Sequence, residues 1–118
     1  MPQTAAAPIL WTEIERPSSN LVVVKCYGRL VHGGPDDLLY RTVKEIIPTT
    51  PRVVLDLLDL KHTDSMGLGT LVRLYVHGKS VGCKVELMHL NKQIRNLLGL
   101  TGLLDVFADV GEKGTRFM

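Results

Sequence analysis

The feature that most constrains the fold is a change of hydrophobic period between residues 53 and 75. Residues 53–60, Val-Val-Leu-Asp-Leu-Leu-Asp-Leu, form an almost unbroken apolar run of strand length. After a short polar segment, apolar residues recur at intervals of three and four, as on one face of a helix: Leu68, Leu71, Val72 and Tyr75. Asp64 and Ser65 therefore lie between the carboxyl end of a buried strand and the amino end of a helix. Because the chain must reach the surface at such a junction in α/β folds, we expect a functional site there.

Strands and helices alternate along the rest of the chain. The predicted strands cover residues 10–16, 21–27, 53–60, 83–88 and 104–110, and the predicted helices cover residues 35–47, 66–79 and 91–98. This alternation predicts a single α/β domain over residues 10–110, with a mixed, mostly parallel sheet of four to five strands and helices packed against it. We expect the first strand to run antiparallel. Residues 1–9 and 111–118 are expected to form flexible tails.

Composition and charge argue against several classes of function. The net charge is only +2 and the basic residues are scattered, so we expect no binding to nucleic acid. No apolar stretch reaches the roughly 18 residues that a membrane span requires, and the N-terminus lacks the features of a secretory signal. Cys26 and Cys83 fall in predicted strands and are expected to be buried free thiols. Together these features predict a cytoplasmic protein without a membrane span.

No pattern of catalytic or metal-binding residues stands out. The four histidines lack the dense spacing of a zinc site, and neither a phosphate-binding Gly-rich loop nor a Gly-x-Ser-x-Gly motif is present. Asp56 and Asp59 point to opposite faces of a strand, so they do not converge with Asp64 on a metal ion. We instead expect Asp56 to support the loop after the strand by accepting hydrogen bonds from N–H groups of that loop, and Asp59 to be solvated. The sequence predicts neither an enzyme nor a protein with a metal or another cofactor.

The strand-to-helix junction has the features of a contact surface. Asp64 or Ser65 is expected to cap the helix by accepting a hydrogen bond from an N–H group two or three residues later. Gly67 and Gly69 in the first turn each cost roughly 1 kcal/mol relative to alanine in a helix interior, which close approach of another backbone would explain. Met66 offers an adaptable apolar contact. A cap and a contact with a partner are compatible roles for this turn.

Basic residues follow on the two later helices. Arg73 and Lys79 lie on the helix after the junction, and Lys92 and Arg95 lie on the last helix. These residues either form a basic flank that attracts an acidic partner, or simply lie on solvent-exposed faces of the helices.

Several motifs together resemble those of one protein family. The segment Asp64-Ser65-Met66-Gly67-Leu68 after an apolar strand resembles the Asp-Ser-Ser-Gly-Leu signature of the STAS family, which includes the anti-sigma factor antagonists. The resemblance extends to Gly28-Arg29-Leu30 after the second strand, and to a late helix that leads into Gly99-Leu100-Thr101-Gly102-Leu103. It covers residues 10–110.

The resemblance implies a regulatory protein that binds an anti-sigma factor or a serine kinase of the histidine-kinase-like ATPase type. The implied contact surface consists of Thr63, Asp64, Ser65, Met66, Gly67, Leu68 and Gly69. In family members that are switched by phosphorylation, the accepting hydroxyl directly precedes the glycine, where this chain has Met66. Ser65, one residue earlier, is the candidate phosphoacceptor, and Thr63 on the other side of Asp64 offers a second hydroxyl. The alternatives are an accessory subunit of a transporter or larger signalling complex and, with least support, a small-molecule or nucleotide-binding module.

Overall fold

A mixed sheet with three helices forms the frame of the protein. The computed structural model describes residues 9–103 in full and the backbone of residues 109–110 and 116–117. In chain order the elements are β1 (Leu10–Ser18), β2 (Leu21–Leu30), α1 (Pro35–Ile46), β3 (Arg52–Thr63), α2 (Ser65–Ser80), β4 (Lys84–Met88), α3 (Lys92–Leu100), β5 (Asp109–Val110) and β6 (Arg116–Phe117). A short 3-10 turn containing Pro48 follows α1, because proline cannot continue the helix.

The strands lie in the sheet in the order in which they occur in the sequence. β1 is antiparallel to β2, the pairs from β2 to β5 are parallel, and β6 is antiparallel to β5. α1 and α2 provide the long connections that parallel neighbours need. The predicted fold class, an α/β domain with a mixed, mostly parallel sheet, is therefore confirmed. The four longer strands are β1, β2, β3 and β4, whereas β5 and β6 have two residues each.

The hydrophobic core lies between the helices and the sheet. Alternate residues of β2, namely Val22, Val24 and Cys26, belong to it because successive side chains of a strand point to opposite faces. The helices contribute their apolar stripes: Leu39, Val43, Ile46, Leu68, Leu71, Leu74, Ile94 and Leu98. Burial of this one face of each helix holds α1, α2 and α3 against the sheet.

Both cysteines are buried free thiols, as predicted. Cys26 lies in β2, while Cys83 directly precedes β4, and β3 separates these two strands in the sheet. Burial raises the pKa of the Cys26 thiol to about 12, because the thiolate would lose its hydration. The Cys26 thiol is therefore chemically inert in the folded protein.

β3 differs from its prediction in length and in burial. It runs to Thr63 rather than ending at Leu60, because the last two residues of β2 pair with His62 and Thr63. We expected nearly every side chain of this strand to be buried, but Leu58 is 62% exposed. An irregularity in the β2–β3 register leaves Leu58 and its neighbour Asp59 on the surface together.

The last helix ends later than predicted. Gly99, which we expected to stop α3, lies inside it, and Gly102 with a φ of 74° takes the left-handed position after the helix. The N–H of Leu103 then donates to the carbonyl of Leu98 at 2.8 Å, which closes the helix end.

The predicted terminal segments fall largely outside the described residues. Of the final strand predicted over residues 104–110, residues 109–110 form β5 and residues 104–108 lie outside the described part. The predicted C-terminal tail contains β6, and the rest of both tails, apart from residue 9, is not among the described residues. Within the part of the chain that is described, no helix is long and apolar enough to cross a membrane.

Candidate functional site

Asp64 fixes the start of α2. Its backbone is extended, and its Oδ1 accepts a hydrogen bond from the N–H of Gly67 at 2.8 Å, so Asp64 rather than Ser65 is the N-cap. The other carboxylate oxygen, Oδ2, accepts a hydrogen bond from the N–H of His32 at 3.0 Å. One side chain thus joins α2 to the loop after β2. The hydrogen bonds from His32 and Gly67 lower the pKa of Asp64, because they stabilise the charged carboxylate.

Thr63 lies beneath the surface rather than on it. Its side chain is only 1% exposed, and its hydroxyl donates to the carbonyl of Leu30 at 2.8 Å. Its N–H donates to Oε1 of Gln93 at 3.3 Å. Thr63 was predicted to belong to the contact surface, but in this structure its side chain is buried below that surface. A hydroxyl hidden in this way is also inaccessible to a kinase.

Gly67 and Leu68 are buried as well, for two different reasons. Leu68 faces the core. At Gly67 an added Cβ would lie well inside 3.0 Å of the Leu30 carbonyl oxygen and the Thr63 hydroxyl. Close approach of a backbone therefore explains this glycine, but the backbone belongs to β2 of the same chain. Gly69 has open space around its Cα, so no contact within the described residues explains it.

The exposed part of the junction continues along α2. Of the seven residues predicted as a contact surface, Ser65 and Met66 are exposed, and Asp64 and Gly69 are partly exposed. We define the α2 stripe as the residues that follow Met66 on the same side of the helix at intervals of three and four: Met66, Gly69, Arg73 and Val76. Met66 is 51% exposed and Val76 is 58% exposed. Val76 was not among the predicted site residues, although its helical spacing from Met66 could have indicated it.

The start of α3 lies beside this junction. Asn91 caps α3 by accepting a hydrogen bond from the N–H of Ile94 at 2.8 Å, as predicted, and its Nδ2 donates to the carbonyl of Leu60 at 3.0 Å. Gln93 Nε2 lies 2.9 Å from Nδ1 of His62. Side chains of α3 therefore hold the end of β3 from the side opposite β2. Sequence reasoning did not find these links, because nothing in the local pattern relates residues about 30 positions apart.

Asp56 stabilises the irregular part of β3 near Leu58, rather than the loop after the strand as predicted. It is buried, and its Oδ1 accepts a hydrogen bond from the N–H of Leu58 at 3.0 Å and lies 2.8 Å from Nδ1 of His89. His89 has a φ of 59°, a left-handed backbone that non-glycine residues rarely adopt. No cluster of three or more potential metal ligands occurs among the described residues.

Comparisons with solved structures identify proteins with the same fold. The anti-sigma factor antagonist SpoIIAA of Bacillus, in its unphosphorylated form, is 18% identical with a TM-score of 0.73, and the alignment covers 87% of this chain and 90% of SpoIIAA. An anti-sigma factor antagonist from Mycobacterium paratuberculosis is 23% identical with a TM-score of 0.73, covering 89% of each chain. The murine anion transporter Slc26a9 is 17% identical with a TM-score of 0.65, covering 76% of this chain but only 15% of the transporter.

At these levels of identity the structural matches show the fold alone. No curated protein matches the sequence. A family model described as the STAS domain, in contrast, matches residues 13–113, which is most of the chain and includes the whole junction from Thr63 to Gly69. The protein belongs to the STAS domain family.

Proposed function

We propose that the protein is an anti-sigma factor antagonist-like regulator that acts by binding an anti-sigma factor or a histidine-kinase-like serine kinase. The observation that carries the proposal is the half-exposed Met66 on the first turn of α2. The hydrogen bonds of Asp64 and the close contact at Gly67 hold that turn in one position. An apolar side chain presented from a rigid turn suits a protein interface, because little conformational entropy is lost on binding.

The junction has the character of a binding surface rather than of an active site. Ser65 is exposed, and within residues 9–103 no side chain makes a hydrogen bond to its hydroxyl that would activate it as a nucleophile. Two of the structural neighbours are named anti-sigma factor antagonists, and SpoIIAA has been solved in both phosphorylated and unphosphorylated forms. This supports a regulatory role for the shared fold.

Because residue 66 is methionine, the proposed mechanism is sequestration of the partner, without a phosphorylation switch at that position. A thioether cannot accept a phosphoryl group, so the kinase has no acceptor directly before Gly67. The partner docks on the α2 stripe and stays bound, which frees the sigma factor. Ser65 is the alternative acceptor, because it is exposed and a phosphate at a helix N-terminus does not disturb the fold.

The binding test uses the anti-sigma factor or kinase that co-purifies with the protein from its native cells, identified by mass spectrometry and then expressed alone. Titration calorimetry compares the wild type with Met66→Asp and with the matched control Leu38→Asp, which places the same charge at an exposed apolar residue of α1. We expect Met66→Asp to weaken binding at least about tenfold, because a central apolar contact is typically worth more than about 1.4 kcal/mol. Leu38→Asp should bind like the wild type. Equal affinities for all three proteins would contradict the proposal.

The second candidate function is that of an accessory subunit of a transporter or larger signalling complex. It is favoured by the likeness to a small part of the anion transporter Slc26a9. The same isolation from native cells separates the two functions, because transporter subunits in place of a kinase would favour the second.

A further inference from the structure

The two basic residues noted on α2, Arg73 and Lys79, have different surroundings. α2 and α3 contain no aspartate or glutamate at all. Arg73 and Lys79 lie on different sides of α2: Arg73 stacks over the ring of Tyr40 on α1, and Lys79 approaches the ring of Tyr75. Arg73 instead shares the ring of Tyr40 with Lys44 of α1.

Tyr40, Lys44 and Arg73 form what we call the cation–tyrosine cluster. The Arg73 guanidinium carbon lies 4.1 Å from the centroid of the Tyr40 ring, and the Lys44 ammonium nitrogen lies 5.6 Å from the same centroid. Both distances are within the range in which the electron-rich ring face attracts a cation. Tyr40 itself packs against the hydrophobic core, so its ring is a fixed platform for the two cations.

The two positive charges of this cluster are not neutralised within the described part of the chain. No carboxylate there lies within 4.0 Å of either cation. The acidic residues of the first turn of α1 do not change this. Asp36 is buried, with its Oδ2 3.8 Å from Nδ1 of His32. Asp37 is exposed one turn before Tyr40 and makes no ion pair with any described residue. Two like charges held by one ring repel each other, and an incoming carboxylate removes that repulsion.

The cation–tyrosine cluster is continuous with the α2 stripe, because Arg73 belongs to both. The exposed apolar side chains of Met66 and Val76 lie on either side of Arg73 along the helix. A surface that alternates apolar and cationic groups in this way matches an amphipathic, acidic protein segment. Nucleic acid and anionic membranes are bound by larger basic patches, whereas this chain has a net charge of only +2.

We propose that the cation–tyrosine cluster docks an acidic protein segment, whose carboxylates pair with Lys44 and Arg73. The inference rests on the proposed function only in identifying that segment with the partner that binds the α2 stripe. The ring of Tyr40 orders both cations before the partner arrives, so less side-chain entropy is lost when the ion pairs form.

The first test uses a short oligo-glutamate peptide as the probe and the full chain labelled with ¹⁵N. At an ionic strength of about 0.1 M, where charges more than about 10 Å apart are largely screened, we expect saturable amide shifts around Tyr40, Lys44 and Arg73. Each ion pair lost in water should weaken binding about fivefold, so the double variant Lys44→Gln/Arg73→Gln should bind the peptide roughly 25-fold more weakly. The matched control Lys84→Gln/Lys92→Gln removes two exposed charges elsewhere and should change the affinity less than about twofold.

Two results of this titration would overturn the proposal. One is an equal loss of affinity in both double variants, which would mean attraction by net charge alone. The other is tighter binding to vesicles containing phosphatidylglycerol than to the peptide, with the same dependence on Lys44 and Arg73, which would assign the cluster to a membrane surface.

A second test separates this inference from the proposed function. If the co-purified kinase binds in a Met66-dependent way but is insensitive to Lys44→Gln/Arg73→Gln, the docking inference is wrong and the proposed function stands. If the peptide binds at the cluster as expected and the kinase does not bind at all, only the proposed function is wrong.

Discussion

Replacing Gly67 by alanine tests whether the start of α2 is fixed by a contact that leaves no room for a side chain. An alanine Cβ at this position would meet the carbonyl of Leu30, whose carbon would be 2.9 Å away, and the hydroxyl of Thr63. Both obstacles are held in place, because the Leu30 carbonyl belongs to β2 and the Thr63 hydroxyl is hydrogen-bonded to it. The helix must therefore move away from the sheet to accommodate the new methyl group.

The expected loss of stability follows from three terms. Overpacking of a tight contact costs about 1–3 kcal/mol, and weakening the hydrogen bond from Thr63 costs about 1 kcal/mol. Alanine in place of glycine favours the helix by up to about 1 kcal/mol, which partly offsets these costs. We expect Gly67→Ala to lower the free energy of unfolding by about 2 kcal/mol.

Gly69→Ala is the matched control, since it makes the same substitution in the same helix. A Cβ at Gly69 meets nothing within 4 Å, so we expect this variant to be stabilised by about 0.5–1 kcal/mol. Urea unfolding followed by circular dichroism measures both variants, and unchanged m-values confirm that the denatured state is comparable. A similar stability change in the two variants would refute the reasoning, because it would mean that helix propensity alone decides both positions.

Four further predictions concern stability and reactivity. Asp64→Ala should lower the free energy of unfolding by about 1–2 kcal/mol in urea titrations, because two backbone N–H groups lose their acceptor. Since the folded-state pKa of Asp64 is lowered, its charge stabilises the fold above the unfolded-state pKa, so acid titration below about pH 4 should destabilise the wild type more than Asp64→Asn. Asp56→Ala should cost about 1–3 kcal/mol, since the N–H of Leu58 and the ring of His89 lose their acceptor; an unchanged urea midpoint would contradict this. A thiol reagent should label Cys26 only after unfolding.

The fold was predictable from the sequence because its signals are local. The change from strand to helix period at residues 53–75 correctly predicted that a strand leads into a helix here, and that Asp64 and Ser65 lie at their junction. The N-cap at Asn91 could also be predicted from the sequence, because a capping side chain bonds within its own helical turn. The left-handed Gly82 that ends α2 is a second local signal, since only glycine adopts that backbone easily.

The errors arose where pairing between distant segments decides the outcome. β3 continues through polar residues up to Thr63 because β2 offers hydrogen-bonding partners there, and no local pattern reveals such partners. Thr63 was expected in the contact surface because it adjoins the signature that resembles the STAS family, yet the carbonyl of Leu30 satisfies its hydroxyl in the interior. Gly67 was correctly expected to allow a close backbone approach, but sequence alone cannot say that β2 supplies that backbone. The contact of Arg73 with Tyr40 likewise depends on how α1 packs against α2.

The central claim is that this protein binds its partner through the surface around Met66 and is not switched by phosphorylation there. The most direct measurement incubates the wild type and Met66→Ser with the co-purified kinase and ATP, and then determines intact mass and affinity for both proteins. We expect the wild type to stay unmodified and to retain its affinity, while Met66→Ser gains one phosphoryl group and binds more weakly because of the added negative charge. A wild type that becomes phosphorylated, or a Met66→Ser variant that stays unmodified, would contradict the account.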